Sequence, residues 1–280
     1  MVEREEGELF HFEYAIRVHG CRIFVAYPIK EVIYEGSSDY QHIVVADSPL
    51  GKVLILDGVL QLSLADEEIY HRGLVLPALS KEYRDILILG GGDGGAAREV
   101  RRALPNSRIT VVDIDPEVTR VVKHYLPEVP RGIFEDKNVK LINMDAYDYV
   151  KQTSEQYDYI IGDLTDIREE AEIGSEVNRL YREEFLRELN RILKPGGTIV
   201  YHVTGIVFGA KYLGEFWDTC RKVFKYTVGY AIHIPTFIDI WGYLAMSNSP
   251  INLDKSKVKL VVLKKCRKRH IHNPLCFIKS

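Results

Sequence analysis

The 280-residue sequence contains only four cysteines and no hydrophobic run long enough to cross a membrane. The cysteines are too scattered for a disulfide framework, so we expect reduced thiols. Residues 1–8 are rich in glutamate, whereas a signal peptide is basic and then apolar. We therefore expect a cytoplasmic protein that contacts no membrane. The formal net charge of −3 excludes the strong overall positive field that attracts nucleic acids.

Two cysteines and two histidines lie close together near the end of the sequence: Cys266, His270, His272 and Cys276. Their spacing matches none of the common zinc patterns. We therefore interpret this basic stretch as a solvated tail, and we predict no metal site in the protein.

Two patterns of hydrophobicity follow each other along the chain. From Phe10 to about Leu64, short runs alternate apolar and polar residues between turn signals, which predicts a small antiparallel β domain over 1–72. Beyond it, apolar runs alternate with helical patterns, which predicts a doubly wound α/β domain over 73–280. The apolar runs lie at 85–90, 108–112, 138–142, 157–162 and 197–201. Two closely spaced apolar segments near the end predict a final antiparallel pair of strands.

The stretch ILILGGGDGGAAR at residues 86–98 joins an apolar strand to a glycine-rich turn and the start of a helix. Its GxGxxG pattern at 90–95, with Asp113 at the end of the next predicted strand, is typical of nucleoside-binding folds. A dinucleotide would rest its pyrophosphate on this helix start, where Asp93 would repel it. Asp93 is therefore either a simple helix cap or part of a site for a ligand of opposite charge.

Further acidic side chains follow the predicted strands at one edge of the sheet: Asp113, Asp145, Asp163 and Asp166. Sheets of this type bind ligands outside the carboxyl ends of their strands. Helix capping would not require so many acids there, so we infer a nucleoside whose reacting end is positively charged. A sulfonium nucleoside fits, with Asp113 on its ribose and Asp93 facing the positive charge.

The sequence resembles the polyamine aminopropyltransferases, the family of spermidine, spermine and thermospermine synthases. The resemblance extends from about Tyr40 to Asn248 and is carried by YQHI (40–43), LILDGVLQLSLADEEIYH (54–71), GGGDGG (90–95), VVDIDPEV (111–118), MDAYDYV (144–150), YDYIIGDLTD (157–166), LKPGG (193–197) and HIPTFIDIWGYLAMS (233–247). It implies a Rossmann-like sheet of the methyltransferase type. It also implies transfer of the aminopropyl group of decarboxylated S-adenosylmethionine to an amine, with release of methylthioadenosine.

The resemblance also assigns residues to the nucleoside. It implies nucleoside contacts for Gln41, His71, Gly90, Gly92, Asp93, Asp113 (on the ribose) and Asp145 (on the adenine amino group). Without the surrounding motifs, Gln41 would be interpreted as a surface strand residue and His71 as a residue satisfied within its own helix. Asp145 would be interpreted as a helix N-cap, a role that is compatible with adenine binding.

The attacking amine must lose a proton, and freeing an amine with a pKa near 10 costs roughly 4–5 kcal/mol at neutral pH. Asp163 ends its predicted strand and matches the catalytic aspartate of the family, which implies a general base. Tyr70, Asp166 and Asp93 would orient the amines. In-line displacement from a sulfonium requires no metal, so we predict no cofactor and treat decarboxylated S-adenosylmethionine as a co-substrate. The loop at 163–181 departs from the spermidine synthases, because it lacks their Ser/Thr-Asp-Pro and Gly-Pro stretches.

The segment HIPTFIDIWGYLAMS suggests the identity of the acceptor. Spermidine synthases have Pro-Thr-Tyr-Pro here, whereas this chain has Phe237 without a hydroxyl, followed by Asp239 and Trp241 as in spermine and thermospermine synthases. We therefore predict that these three residues contact a polyamine, with Asp239 binding the additional ammonium of spermidine. The closest resemblance is to thermospermine synthases. This favours spermidine as the acceptor and thermospermine over spermine as the product. The alternatives are that Asp239 is an exposed turn residue, and that the acceptor is putrescine, agmatine or cadaverine.

Two other classes of protein share part of this pattern. A methyltransferase would have the same sheet, and the basic tail at 264–272 would then suggest RNA contact, but the acidic crevice argues against a phosphate-rich substrate. A non-catalytic polyamine sensor is the second alternative. We expect small-molecule partners, no nucleic acid, and a homodimer or homotetramer, because the small β domain is too short to bury both faces alone.

Overall fold

The computed structural model describes residues 2–5, 8–18, 21–165, 178–207 and 209–264, with side chains from residue 25 onward. Asp166 and the predicted solvated tail with Cys266, His270, His272 and Cys276 lie outside these residues. None of the described helices is long and apolar enough to span a membrane.

The N-terminal part consists of two antiparallel sheets, as predicted for this region. The strands are β1 (Val2–Glu5), β2 (Glu8–Val18), β3 (Cys21–Ile29), β4 (Glu31–Ser37), β5 (His42–Ser48), β6 (Gly51–Leu56) and β7 (Val59–Ser63). The first three form one sheet, and the other four form a meander in chain order. Asp57 and Gly58 join β6 to β7 with φ values of 49° and 79°, the left-handed conformation that the tightest hairpins require.

The second part is a mixed eight-stranded sheet flanked by helices, so the predicted Rossmann-like α/β fold is confirmed. Its elements are α1 (Glu67–Val75), β8 (Asp85–Gly90), α2 (Gly95–Ala103), β9 (Arg108–Asp113), α3 (Pro116–Tyr125), β10 (Val139–Asn143), α4 (Ala146–Gln152), β11 (Tyr157–Asp163), α5 (Glu183–Ile192), β12 (Leu193–Gly205), α6 (Ala210–Val223), β13 (Tyr226–Ile234), β14 (Asp239–Ser247) and β15 (Val261–Val262). The predicted final antiparallel pair is β13 with β14. The domain boundary that we predict at residue 72 falls within α1, and it stays a prediction.

The strand order β10-β9-β8-β11-β12-β14-β13-β15 contains a switch point between β8 and β11. The chain runs outward from β8 through β9 to β10 and then returns to add β11 on the other side of β8. At such a point the carboxyl ends of two parallel strands border a crevice. Gly90 and Asp163 end these two strands and are paired in register. The glycine loop and the predicted base therefore meet at the same place.

Alternation along β8 divides the interior into two cores. Leu87 and Leu89 pack in the core that includes α4, α5 and α6, whereas Ile86 and Ile88 pack with α1 and α2. All four side chains are fully buried, as expected for a parallel strand that is covered on both faces. This packing fixes the position of the strand end from which the glycine loop begins.

The β4–β7 meander is also covered on both faces. Ile43 and Val45 pack against the inner side of α3, and Val44 and Ala46 point the other way and pack with Tyr27 of β3. We expected this β domain to need a partner molecule to cover its faces. For the β4–β7 meander this expectation is not met, because α3 packs on one face and β3 on the other within the same chain.

Candidate active site

The glycine loop allows two other segments to approach it closely. Gly90, Gly91 and Gly94 have φ values of 78°, 74° and 81°, which side chains with a Cβ rarely adopt. A Cβ on Gly90 would lie 1.8 Å from the carbonyl oxygen of Asp163, and one on Gly95 would lie 2.2 Å from the His71 ring. The glycines therefore bring the end of β11 and a residue of α1 against the start of α2.

Asp163 and Tyr70 form the central polar contact of the crevice. The Tyr70 hydroxyl donates a hydrogen bond of 2.7 Å to Oδ1 of Asp163. Oδ2 is buried and accepts no hydrogen bond from the described residues. Burial, and then the nearby charge of Asp93, raise the pKa of Asp163 to about 6, although His71 and Tyr70 act in the opposite direction. Its carboxylate is therefore a base poised near neutral pH with one oxygen available.

Asp93 faces both the helix and the crevice. Its Oδ1 accepts a hydrogen bond of 2.6 Å from the backbone N–H of Gly95 at the start of α2. Its Oδ2 lies 3.4 Å from Nε2 of His71. Burial favours the neutral acid, but the positive charge of His71 outweighs it and lowers the pKa of Asp93. The N-cap of α2 is Gly94, so Asp93 is not the cap itself; it binds the first backbone N–H of the helix and forms an ionised wall of the crevice.

His71 is completely buried and belongs to a chain of alternating charges that the sequence analysis missed. Its Nδ1 lies 2.7 Å from Oε2 of Glu67, and Glu67 receives two hydrogen bonds of 2.9 Å from Arg98. Burial alone would lower the pKa of His71, but Asp93 and Glu67 raise it to about 10. The ring is therefore an imidazolium. Glu67 stands four residues before His71 on α1, a helical spacing that is visible in the sequence.

Asp113 and Gln41 lie on the other side of the glycine loop. Asp113 accepts hydrogen bonds from the backbone N–H of Gly92 at 2.8 Å and of Asp115 at 2.9 Å. Burial raises its pKa, and these two hydrogen bonds oppose that effect. Gln41 donates a hydrogen bond of 2.8 Å to Oδ2 of Asp115. The structure thus links the predicted ribose residue to Gln41 through Asp115, an acid that the sequence motifs do not identify as a site residue.

Asp145 is the N-cap of α4, which confirms the helix-cap interpretation given for it above. Its Oδ1 accepts hydrogen bonds from the backbone N–H groups of Tyr147 at 2.8 Å and Asp148 at 3.3 Å. Its Oδ2 contacts the guanidinium of Arg179, which also lies 5.5 Å from the Tyr147 ring centre. An adenine amino group that binds the Asp145 carboxylate would therefore lie next to the Arg179 guanidinium.

An aromatic wall extends from Tyr70 away from the glycine loop. Its residues are Tyr70, Phe237, Trp241 and His202. The ring centre of Phe237 lies 5.7 Å from that of Tyr70 and 4.7 Å from that of Trp241. His202 lies on β12, and its ring centre is 5.9 Å from that of Tyr70. The first three residues are predicted from the sequence, whereas His202 is not.

Asp239 is only 7% exposed, so its interpretation as an exposed turn residue is wrong. Its Oδ1 accepts hydrogen bonds from the backbone N–H groups of Val207 at 3.0 Å and Ile240 at 2.6 Å. Its Oδ2 approaches Gly205 so closely that a Cβ there would lie 2.0 Å away. The carboxylate thus holds the chain after β12 in place. Its predicted contact with a polyamine stays a prediction, as does the role of Asp166, which lies outside the described residues.

His71, Asp93 and Asp163 bring their ligand-type atoms within 4.8 Å of one another, a grouping that could hold a metal ion. A metal ligand must offer a lone pair, which an imidazolium lacks. His71 is held in that form by the two acids beside it. While His71 carries both protons, only the two carboxylates of this described grouping offer lone pairs.

Comparisons with known proteins agree with this geometry. The model of the spermidine synthase tetramerisation domain matches residues 12–63, and that of the spermine/spermidine synthase domain matches residues 64–256. The polyamine aminopropyltransferase of Sulfolobus acidocaldarius is 37% identical over 240 residues, which is 84% of this chain and 78% of the relative. The polyamine aminopropyltransferase of Aeropyrum pernix is 38% identical over 224 residues, which is 79% of this chain and 70% of the relative.

Solved structures give the same picture. The spermidine synthase of Thermotoga maritima superposes with a TM-score of 0.75 at 27% identity, covering 88% of this chain and 82% of that one. A spermidine synthase in complex with the transition-state analogue AdoDATO gives a TM-score of 0.75 at 26% identity with the same coverage.

Proposed function

Because the chain belongs to the spermine/spermidine synthase family, we propose that the crevice described above transfers an aminopropyl group to the triamine spermidine. Transfer of this group from decarboxylated S-adenosylmethionine is the activity of this enzyme, and the choice of acceptor is the proposal. We further propose that thermospermine is the product, with spermine as the alternative, depending on which terminal nitrogen of spermidine attacks. The observation that carries the proposed catalytic roles is the buried, hydrogen-bonded carboxylate of Asp163 with one oxygen available.

In the proposed mechanism, Asp163 acts on the attacking amine. Oδ2 of Asp163 accepts a proton from the ammonium of the acceptor, while the Tyr70 hydroxyl holds Oδ1. The freed nitrogen lone pair attacks the methylene next to sulfur, a C–N bond forms, and the C–S bond breaks. The bonding electrons go to sulfur, which leaves as the neutral thioether of methylthioadenosine. The protein contributes positioning and one base.

The nucleoside is proposed to lie across the glycine loop. Asp93 would bind the ammonium of the aminopropyl group, which takes the place of the amino-acid end of intact S-adenosylmethionine. Asp113 would accept hydrogen bonds from the ribose, with Gln41 beside it through Asp115. His71 holds Asp93 ionised, because an adjacent imidazolium favours the carboxylate over the acid.

The aromatic wall supports a long acceptor. Phe237 and Trp241 offer ring surfaces to the methylene segments of a polyamine and place no hydroxyl beside a short diamine. In this proposal the buried carboxylate of Asp239 would supply the negative charge that a third ammonium requires away from water. A diamine acceptor is the second candidate, because the solved structures that resemble this chain are spermidine synthases.

A comparison of acceptors tests the proposal. The enzyme is incubated with decarboxylated S-adenosylmethionine and with putrescine, cadaverine, agmatine or spermidine separately, and products are identified by mass and fragmentation. We expect spermidine to give the highest kcat/KM and thermospermine to be the product. Efficient use of putrescine without turnover of spermidine would overturn the triamine proposal.

Asp239 can be tested in the same assay with a matched pair of variants. Asp239→Asn keeps an oxygen that accepts the backbone N–H groups but removes the charge, whereas Asp239→Ala removes both. If the charge binds the third ammonium, both variants lose about tenfold or more in kcat/KM for spermidine. If Asp239 only holds the backbone, the asparagine variant keeps wild-type spermidine use and the polyamine role is excluded.

The assembly of the chain is also a proposal. The match of residues 12–63 to a tetramerisation domain supports an oligomer, and we propose a homodimer or homotetramer. Since the meander is covered within the chain, the β1–β3 sheet with its two edge strands is the proposed contact surface. Sedimentation velocity at micromolar concentration is expected to give a dimer or tetramer. A monomer under these conditions would refute this assembly.

A further inference from the structure

We propose that His202 is a positioning residue that joins the segment carrying the catalytic carboxylate to the wall of the acceptor site. His202 lies on β12, next to β11 in the sheet, where Tyr201 pairs with Gly162. This register sets His202 beside Asp163, which ends β11, while β12 continues to Gly205. The inference depends on the aminopropyl transfer but is independent of which amine is the acceptor.

The two ring nitrogens of His202 contact two different parts of the site. Nε2 donates a hydrogen bond to the carbonyl oxygen of Leu164, the residue immediately after Asp163. Nδ1 accepts a hydrogen bond of 3.4 Å from the indole Nε1 of Trp241. The indole nitrogen is always a donor and the carbonyl always an acceptor, so the two contacts together require the neutral tautomer with its proton on Nε2.

The surroundings of His202 keep it in this form. The residue is 4% exposed, and its burial lowers the pKa to about 4, although the contact with Leu164 opposes this shift. The ring is therefore neutral throughout the range in which Asp163 can act as a base. A neutral ring adds no positive charge to a wall that has to receive a polyamine cation.

The consequences of the two contacts for the reaction are different. The Leu164 contact fixes the backbone just after the base, and so it should determine how well Asp163 is aimed at the attacking nitrogen. The Trp241 contact fixes the indole, which packs on Phe237, and so it should determine how well the acceptor is held. Loss of the first contact is expected in kcat, and loss of the second in the KM of the amine.

Three variants separate these effects. His202→Phe keeps an aromatic ring and removes both contacts. His202→Gln places an amide N–H near the position of Nε2 and retains the Leu164 contact. His202→Asn places an amide oxygen near the position of Nδ1 and retains the Trp241 contact. Each variant is assayed by methylthioadenosine release, with the acceptor that the wild-type enzyme uses best, and its melting temperature is measured.

We expect the phenylalanine variant to lose about tenfold in kcat and to gain about tenfold in the KM of the amine, the size of one hydrogen bond in each case. The KM of decarboxylated S-adenosylmethionine should stay within about twofold. The His202→Gln variant should restore kcat alone, and the His202→Asn variant should restore the KM of the amine alone.

The proposal is overturned if both constants of the phenylalanine variant stay near wild type. It is also overturned if all three constants and the melting temperature change together in every variant, which would indicate a purely structural role. A wild-type preference for putrescine would refute the proposed acceptor and leave this comparison intact.

Discussion

Asp163→Asn is expected to lower kcat by about two to four orders of magnitude, the usual effect of losing a general base. The amide has nearly the same shape and can still accept the hydrogen bond from the Tyr70 hydroxyl, which is 2.7 Å long in the native protein. It cannot take up the proton of the attacking ammonium. The affinity for methylthioadenosine should therefore change by no more than a few fold. Single-turnover kinetics and calorimetric titration measure the two quantities.

Tyr70→Phe is the matched control for this substitution. It removes the neighbouring hydroxyl but leaves the carboxylate and the aromatic wall, so a smaller loss of kcat is expected than for Asp163→Asn. If the asparagine variant kept more than about a tenth of wild-type kcat, Asp163 would not be the base.

The raised pKa of Asp163 also predicts how activity and stability change with pH. The base must be ionised, so kcat/KM, which reports the free enzyme, should fall as the pH drops through about 6, and the asparagine variant should lack this acid limb. For stability, the folded protein binds a proton at this site at pH values where the unfolded chain has already lost it. The stability that the raised pKa of Asp163 contributes is fully present below the ordinary aspartate pKa. It is lost as the pH rises through about 6. The free energy of unfolding of Asp163→Asn should therefore rise relative to that of the native protein as the pH increases from about 4 to about 8, as measured by denaturant unfolding.

Asp93→Ser is expected to weaken binding of decarboxylated S-adenosylmethionine by about 10- to 100-fold, because a charge-assisted contact with its ammonium is lost. Intact S-adenosylmethionine carries a carboxylate at this end, which the native Asp93 repels. Its binding should improve or stay unchanged in the variant. The preference for the decarboxylated form should therefore fall by at least about tenfold.

Serine is chosen because its hydroxyl can still accept a hydrogen bond from the start of α2. In the native protein Asp93 accepts the backbone N–H of Gly95, and a serine hydroxyl can take over this hydrogen bond. Calorimetric titration with the two sulfonium nucleosides measures the discrimination directly. Unchanged discrimination would leave Asp93 with its contact to the start of α2 only, and a wild-type preference for the intact form would instead support a methyltransferase.

The parts of the site that the sequence predicts well are those that depend on a single strand and its end. Asp163 and the glycine loop meet because parallel strands finish at one edge of a sheet, which periodicity and the GxGxxG pattern reveal. The contact of Arg98 with Glu67 could not be predicted in this way, since it depends on how α1 packs against α2.

The remaining differences have the same physical origin. The isolated acid Asp239 suggests an exposed turn, and only the chain after β12 folding over it makes it buried. His202 lies in an apolar strand and forms no recognisable motif, so its two contacts become visible only once β11, β12 and β14 lie side by side. Patterns along the chain predict elements, whereas contacts between distant elements require the structure.

The sheet formed by β4–β7 has a consequence for synthesis on the ribosome. Ile43 and Val45 become covered only when Val118 and Val121 of α3 arrive, and α3 is translated well after the whole meander. During this interval the nascent chain carries a hydrophobic sheet face without its cover. Contacts between segments so far apart in the chain form slowly, and uncovered sheets are prone to aggregation. We therefore expect the newly made N-terminal part to be more prone to aggregation before α3 is synthesised than after it.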